Sequence, residues 1–569
     1  MNRTLTALAL ASICSVSFAQ TARVPRVGAN SQIRFVEVPN YMEFTGQMIV
    51  RPKQADQLAR AGVSDLSARL MRQQVELEMS EYMIEYRGPN DEYIIQLPEG
   101  ENENSFARRF LATGRYQYVE PDWRVFPAYT PNDPQLGNQW SHTNSDSRAG
   151  WDVQRGSTSV IVGITDTGVH LTHEDFNNPA SNLVSGYNAA SNQTQAAGGQ
   201  VQDINGHGTH CAGIAAAIGN NSRGVAGVNL TGTKIMPVRV TNSSGGGSSI
   251  SWLTGGILWA AQNGARSVST SYSGYNSASV GTTGTTLKNT YNALSHWAAG
   301  NSGAFISGAD HVNVVIVGAT NSANGRASFS NYGTDTDLFA PGDFIRSTYW
   351  TGAATNTYAD LSGTSMACPF AAGLSALIMC QNPTYSAQQV EDVLYKSCID
   401  MGNTTNFGWG RVNVSHAMGK VPNSFTIVRG LLQAGGTTDM YRVEGNVLRV
   451  RRGLVVNAGE APIQVQTPHA AAFATPSEVN VQLTSSVNTG GLSRRIELLN
   501  RNTGVYDVIG SGAATTSMTK LEATVSGANA ANYVNGGIVT ARVAVYQTGP
   551  TTISQWETSI DQLVVRTLR

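Results

Sequence analysis

From about residue 129 to 420, short β-branched runs alternate with Ala- and Gly-rich stretches of helical period. That alternation admits few folds other than an α/β layer with a largely parallel sheet and helices on both faces. Residues 159–165, 234–240, 266–271 and 312–317 read as strands, and 208–218, 251–262 and 364–380 as helices. In such sheets ligands bind beyond the carboxyl ends of the strands. Polar residues that directly follow a strand or open a helix are therefore the ones to examine.

The flanks differ in texture. Residues 20–127 hold 13 Lys and Arg and 15 Asp and Glu, about a quarter of the segment, against 14% charged residues overall, which places a boundary near 128. Within it, 44–51, 92–97 and 116–126 read as strands and 54–79 and 103–112 as helices, a small α+β unit. After Pro422, seven or so short strands (425–429, 443–450, 463–466, 479–483, 495–499, 537–545 and 561–565), separated by Gly and Asn turns, suggest a β-sandwich. The expected organisation is thus 1–19, 20–128, 129–421 and 422–569.

The first of these segments reads as an address. Arg3 precedes an apolar run over residues 5–16, and Ser17-Phe18-Ala19 ends it with small residues where a signal peptidase cuts, so export is expected. A lipid anchor on Cys14 fits poorly with the bulky Ile13 before it. No later apolar stretch has the length of a membrane span, so no transmembrane segment is expected. A net charge of -1 disfavours a nucleic-acid partner. Cys211, Cys368, Cys380 and Cys398 either form two disulfides or stay as buried thiols, and no CxxC spacing suggests zinc.

Three segments put a reactive side chain at the end of an element. Ile161-Val-Gly-Ile-Thr-Asp166-Thr-Gly168 is an apolar strand ending in a carboxylate and a glycine turn. Asn205-Gly-His207-Gly-Thr-His210-Cys-Ala-Gly213 and Ser362-Gly-Thr-Ser365-Met-Ala-Cys-Pro369 each open a small-residue helix. A serine hydroxyl is a weak nucleophile unless an imidazole takes its proton and a carboxylate fixes the imidazole's tautomer. Asp166, His207 and Ser365 supply those three groups in one of the three known chain orders. His207 and His210 as an HxxH metal pair is the competing reading, but the usual zinc endopeptidases need HExxH, and no Glu lies between them.

With Ala299-Gly-Asn301, Arg326-Ala-Ser-Phe-Ser-Asn331 and Ala340-Pro-Gly342 added in series, residues 129–420 resemble the catalytic domain of the subtilisin-like serine peptidases. The resemblance implies that Asp166 orients, His207 is base and then acid, and Ser365 attacks the scissile carbonyl. It makes Asn301 the oxyanion amide and leaves His210 structural. His170, His173, His296 and His416 are expected at the surface or in packing. It implies structural calcium on Asp133, Asp175 and Asn221, with backbone oxygens of Gly219, Arg223 and Val225. Here Tyr129 to Asp133 resembles the start of mature thermitase-type enzymes, where this Asp helps bind calcium. It aligns Ser271, Tyr272, Ser273 and Gly274 with the substrate-binding edge strand, Tyr272 and Ser273 departing from the usual Leu-Gly. It makes 20–128 an intramolecular inhibitory propeptide, self-cleaved between about Phe126 and Thr130, and protein or peptide the substrate. The C-terminal sandwich is left with several roles: binding an unknown surface or polymer, aiding secretion, or being trimmed off. The other class of reading is a binding protein on a silent protease scaffold.

Overall fold

The computed structural model describes residues 42–98, 101–125, 130–353, 356–441, 443, 445–455, 460–547 and 555–569. The expected export signal and the expected cleavage stretch lie outside them. The chain divides into two compact units, Met1–Pro127 and Ala128–Arg569.

The first unit is a four-stranded antiparallel sheet in the order Met83–Arg87, Glu92–Gln96, Met42–Pro52, Tyr116–Val125, with helices Asp65–Ser80 and Glu103–Ala112. Met48, Val50, Val75, Met79, Phe106, Phe110 and Tyr116 form its core. The helical pattern expected over 54–79 is two helices, Ala55–Arg60 and Asp65–Ser80. Gly62, at φ +78°, breaks it, and Ser64 restarts it by capping the N–H of Ser67.

In the second unit the central sheet runs Leu338–Pro341, Val314–Thr320, Leu294–Ala298, Ala265–Thr270, Ile161–Asp166, Lys234–Arg239, Tyr187–Asn188, Gln193–Thr194. Every pairing is parallel except the last. Both faces are covered, which is why Val314–Thr320 is buried along its whole length. The first strand in sequence, Ile161–Asp166, sits in the middle with later strands added on both sides. Its carboxyl end is therefore a topological switch point, and Asp166 stands on it. The sequence pattern marked four of the eight strands of this sheet; Leu338–Pro341, Tyr187–Asn188 and Gln193–Thr194 escaped it, as did one further strand and a helix. Leu294–Ala298 carries a His and a Trp in a five-residue run, and helix Ala278–Tyr291 is rich in Thr and Gly. In that helix the hydroxyls of Thr282, Thr283, Thr285 and Thr286 bond back to carbonyls four residues earlier, which satisfies groups that elsewhere favour turns.

Helix Thr364–Gln381 lies across the inner face of the sheet. Among the described residues it is the one helix long and apolar enough to cross a membrane, and 94% of that stretch is buried inside the protein. It packs against helix His207–Ala216, where a methyl at Gly373 would stand 3.0 Å from the Ala215 carbonyl oxygen.

Beyond Val414–Met418 the chain forms two antiparallel sheets. One holds Thr426–Arg429, Ile463–Ala470, Ile538–Gln547, Leu492–Leu499 and Tyr506–Ala514. The other holds Leu431–Ala434, Leu448–Arg451, Glu557–Leu568, Glu478–Val487 and Thr519–Ser526. Their inner faces share a core that includes Val481, Leu483, Ile496, Val543, Trp556 and Leu563. The chain crosses from one sheet to the other at Gly430, φ +118°.

Candidate active site

Asp166 is almost fully buried. Its Oδ1 accepts from Nδ1 of His207 at 2.8 Å and from the Thr167 N–H at 2.7 Å. His207 is the first residue of its helix, and the approach to Asp166 requires the glycine that follows. A methyl at Gly208 would stand 2.1 Å from the Gly168 oxygen and 3.0 Å from Asp166 Cβ. Burial disfavours the imidazolium, but the neighbouring carboxylate favours it more, and His207 is raised well above its ordinary range.

The turn that carries His207 is tied down by a carboxylate that sequence reasoning did not single out. Asp203 is fully buried. Its Oδ1 accepts from Thr167 Oγ1 and from the N–H groups of Asn205 and Gly206, and its Oδ2 accepts from the Thr209 N–H and hydroxyl. Thr167 Oγ1 in turn accepts from the Gly208 N–H. The signal was present as Asp-x-Asn-Gly before the histidine, an Asx-turn pattern.

Ser365 is the second residue of helix Thr364–Gln381, so its backbone N–H is not used by the helix itself. Pro369, four residues on, has no N–H to give the Ser365 carbonyl. That oxygen instead accepts from Ser271 Oγ at 2.8 Å and from Cys211 Sγ at 3.4 Å. Cys211 lies one turn along from His207, with Sγ 3.9 Å from Nδ1, and so touches both segments. Ser365 Oγ itself donates to the Ser271 carbonyl at 3.4 Å.

Asn301 is exposed and oriented from one side. Its Oδ1 accepts from the Thr364 N–H at 2.8 Å and the Thr364 hydroxyl at 2.9 Å, which leaves Nδ2 as the outward donor. A methyl at Gly363 would be 3.4 Å from that Nδ2 and 3.5 Å from the Ser365 nitrogen. The two donors therefore border one small space that glycine keeps open. Asn331 holds the turn before it, accepting from Ser302 and Ala304 and donating to the Ala299 carbonyl. Such a space suits a developing oxyanion.

Other expected residues fall as follows. Ser271 to Gly274 leave the sheet after Ala265–Thr270 and run as loop, with no strand partner. His210 turns away from His207, its Nε2 against the Ala359 carbonyl, and burial pushes it down to about 3. His170, His173 and His296 are packed inside, and His416 is half-buried. The four cysteines are buried free thiols.

Away from Asp166, His207 and Ser365, loop 219–225 wraps two buried carboxylates. Asp133 Oδ2 accepts from the Asn220 N–H at 2.8 Å and its Oδ1 from the Asn221 N–H at 3.4 Å. Asp175 Oδ2 accepts from the Val225 N–H at 2.9 Å, and its Oδ1 lies 3.4 Å from Asn221 Nδ2. Gly219 abuts Asp133. Arg223, whose N–H bonds Asn221 Oδ1, turns its guanidinium to Glu174. Neither buried carboxylate is ion-paired among the described residues, and burial pushes Asp175 up to about 7. Two buried carboxylates without a cation are hard-oxygen donors of the kind that suits calcium, while Asn221 turns its Nδ2 to Asp175 and its Oδ1 to the Arg223 N–H.

A model of the Subtilase family matches residues 157–410. The chain is 37% identical over 300 residues to thermitase of Thermoactinomyces vulgaris, covering 51% of this chain and 99% of that protein. It is 37% identical over 315 residues to a thermophilic serine proteinase of Bacillus sp. strain AK1, covering 53% of this chain and 72% of that one. An extracellular protease of Xanthomonas campestris pv. campestris is 36% identical over 337 residues, 51% of this chain and 56% of that protein.

Proposed function

Because this chain belongs to the subtilase family and is a serine endopeptidase, we propose that Asp166, His207 and Ser365 are its catalytic triad. The reading rests on one observation: a buried carboxylate 2.8 Å from the imidazole, with the serine on the helix packed beside it. Asp166 holds the His207 tautomer that leaves Nε2 as base. Ser365 Oγ swings from the Ser271 carbonyl to give its proton to that nitrogen and attack the peptide carbonyl. The oxyanion takes the Asn301 Nδ2 and Ser365 N–H donors, and His207 returns the proton to the leaving amine. Water repeats the sequence on the acyl-enzyme.

Residues 1–19 act as export signal, 20–128 as propeptide and intramolecular inhibitor, 129–421 as catalytic domain and 422–569 as accessory sandwich. The product is a secreted, self-processing zymogen. The antiparallel sheet and separate core of the first unit support an independently folding propeptide. Asp133, Asp175 and Asn221, with carbonyls of Gly219, Arg223 and Val225, would hold a calcium ion. When bound, that ion supplies charge compensation and rigidity to loop 219–225, and no catalytic step passes through it. Ser271 to Gly274 line the substrate groove.

An active-serine phosphonate should label mature protein and fail to label Ser365→Ala. Labelling that survives the substitution overturns the triad. Intact mass and N-terminal sequencing of the exported product would place both processing sites, and an unprocessed product would overturn the zymogen reading.

A further inference from the structure

Two loops border the triad from opposite sides, and one side chain joins them. On the Ser365 side, Ser271 exchanges hydrogen bonds with the serine, its Oγ to the Ser365 carbonyl and its carbonyl to the Ser365 hydroxyl. On the Asp166 and His207 side lies the loop 243–248. Asn205 Nδ2 donates to the Ser244 carbonyl at 2.7 Å, and a methyl at Gly246 would stand 3.5 Å from the Thr167 side chain. This loop contains three consecutive glycines, Gly245, Gly246 and Gly247, and a methyl at Gly247 would meet nothing within 4 Å. Such a run loses more backbone freedom on ordering than any other. Its position therefore depends on its own turn bonds, the Gly246 N–H to the Ser243 carbonyl and Ser248 Oγ to the Val240 carbonyl, and on what reaches it from outside.

We propose that Tyr272 is a positioning residue for substrate binding, a latch whose hydroxyl donates to the Gly246 carbonyl at 2.8 Å and holds the glycine loop at a set distance from the serine. This rests on the reading that the groove between these loops receives the peptide. Tyr272 is one of the two residues that depart from the family's Leu-Gly, so the latch belongs to this chain rather than to the family pattern. Its ring is partly buried against the cluster that includes Val240, Leu253 and Ile257, which fixes the direction of the phenol. Burial, with Asp166 adding to it, raises the phenol above its ordinary value, so the donor persists into alkaline solution. A latched loop spares an arriving peptide the cost of ordering it, and the saving should appear in binding rather than in chemistry.

The test is Tyr272→Phe in the processed enzyme, which keeps the ring and removes the donor. One net hydrogen bond corresponds to about a three- to tenfold change. KM for peptides spanning four or more residues before the scissile bond should rise by that factor. The rise should be larger for these than for single-residue ester substrates, which do not reach the loop. Hydrogen exchange at 243–248 should quicken while the rest of the protein is unchanged. An unchanged KM for long peptides, or equal losses on long and short substrates, would overturn the latch. Wild-type protein that fails to react with the serine phosphonate would instead overturn the triad, so the two failures are distinguishable. If Tyr272→Phe folds poorly, Tyr272→Leu, which also removes the donor, offers a second approach to the same bond: it should show the same length-dependent KM effect, and an effect independent of length would count against the latch.

Discussion

The two ends of helix Thr364–Gln381 are built by opposite rules. At the N-terminal end the groups are left with capacity to spare: an unused Ser365 N–H, an outward Asn301 amide, and glycine at 363 where any side chain would fill the space between them. At the C-terminal end groups are taken up, several of them by the sandwich. Lys520 donates to the Gln381 carbonyl and Arg566 to the Gln381 side chain and the Ala417 carbonyl. Gln482 donates to Asn382, and Tyr385 to Glu522. Nearby, Lys420 and Val565 exchange both backbone hydrogen bonds. Cations at a helix C-terminus are favourable, so the sandwich caps the helix whose other end carries Ser365, the proposed nucleophile. The contrast separates chemistry from stability along one rigid rod of about 27 Å, the length of 18 residues at 1.5 Å each.

If the separation holds, substitutions at the open end change rates and leave the unfolding midpoint nearly fixed. The largest such effect is expected for Asp166→Asn, about 10⁴-fold in kcat, because the imidazole would then favour the wrong tautomer. Active-site titration with pre-steady-state kinetics checks it, and a loss below tenfold would remove Asp166 from the triad. Asn301→Ala should follow at about 10²- to 10³-fold in kcat with little change in KM, the cost found for one such donor in subtilisin. A loss confined to KM would mean that Asn301 binds ground-state substrate rather than the oxyanion.

At the closed end the order reverses. Arg566 is nearly fully buried, and Arg566→Met would leave the Ala417 oxygen and the Gln381 amide oxygen without a donor, at about 2–3 kcal/mol of stability. The full second unit in urea should show that loss as a lower midpoint, with kcat/KM at 25 °C within about twofold of the parent. A kcat that fell in step with stability would break the contrast, because it would show the serine's position responding to the far end of its helix.

The same contrast explains what the sequence made legible. Asp166, His207, Ser365 and Asn301 each stand at the end of an element, beside glycines that permit close approach, so local motifs announce them. Four of the parallel strands were legible because burial on both faces writes them as β-branched runs, whereas Leu294–Ala298 and Leu338–Pro341 are as buried but carry no β-branched residue and were not. Ala278–Tyr291 was not, since its hydroxyls satisfy themselves on their own helix. The capping of Gln381 could not be read at all: Lys520 and Arg566 lie 139 and 185 residues from it, and nothing local distinguishes a capping lysine from a solvated one. Thr364 is an intermediate case. Its place in Gly-Thr-Ser was visible, but its grip on Asn301 depends on a turn brought in by a different strand.

The smallest expected effect tests that lysine. Its stem is exposed while its Nζ reaches the Gln381 carbonyl at 2.8 Å and Asn382 Oδ1 at 3.1 Å. Burial of the ammonium pushes Lys520 down to about 8, Glu522 opposing the shift and Arg566 adding to it. In the unfolded chain the group returns to about 10.4. Between those values the folded protein holds fewer protons than the unfolded one, so this group's contribution to stability grows as pH rises from 8 to about 10.4 and is lost as pH falls through 8. The stem's exposure to solvent limits the gain to about 1 kcal/mol or less. Comparing the parent with Lys520→Gln by urea unfolding at pH 7, 9 and 10.5 should show the difference moving in the parent's favour as pH rises, and more weakly in high salt. A difference that stayed flat, or moved the other way, would mean that the ammonium is fully solvated and that the sandwich holds this end of the helix through Arg566 and the neutral hydrogen bonds alone.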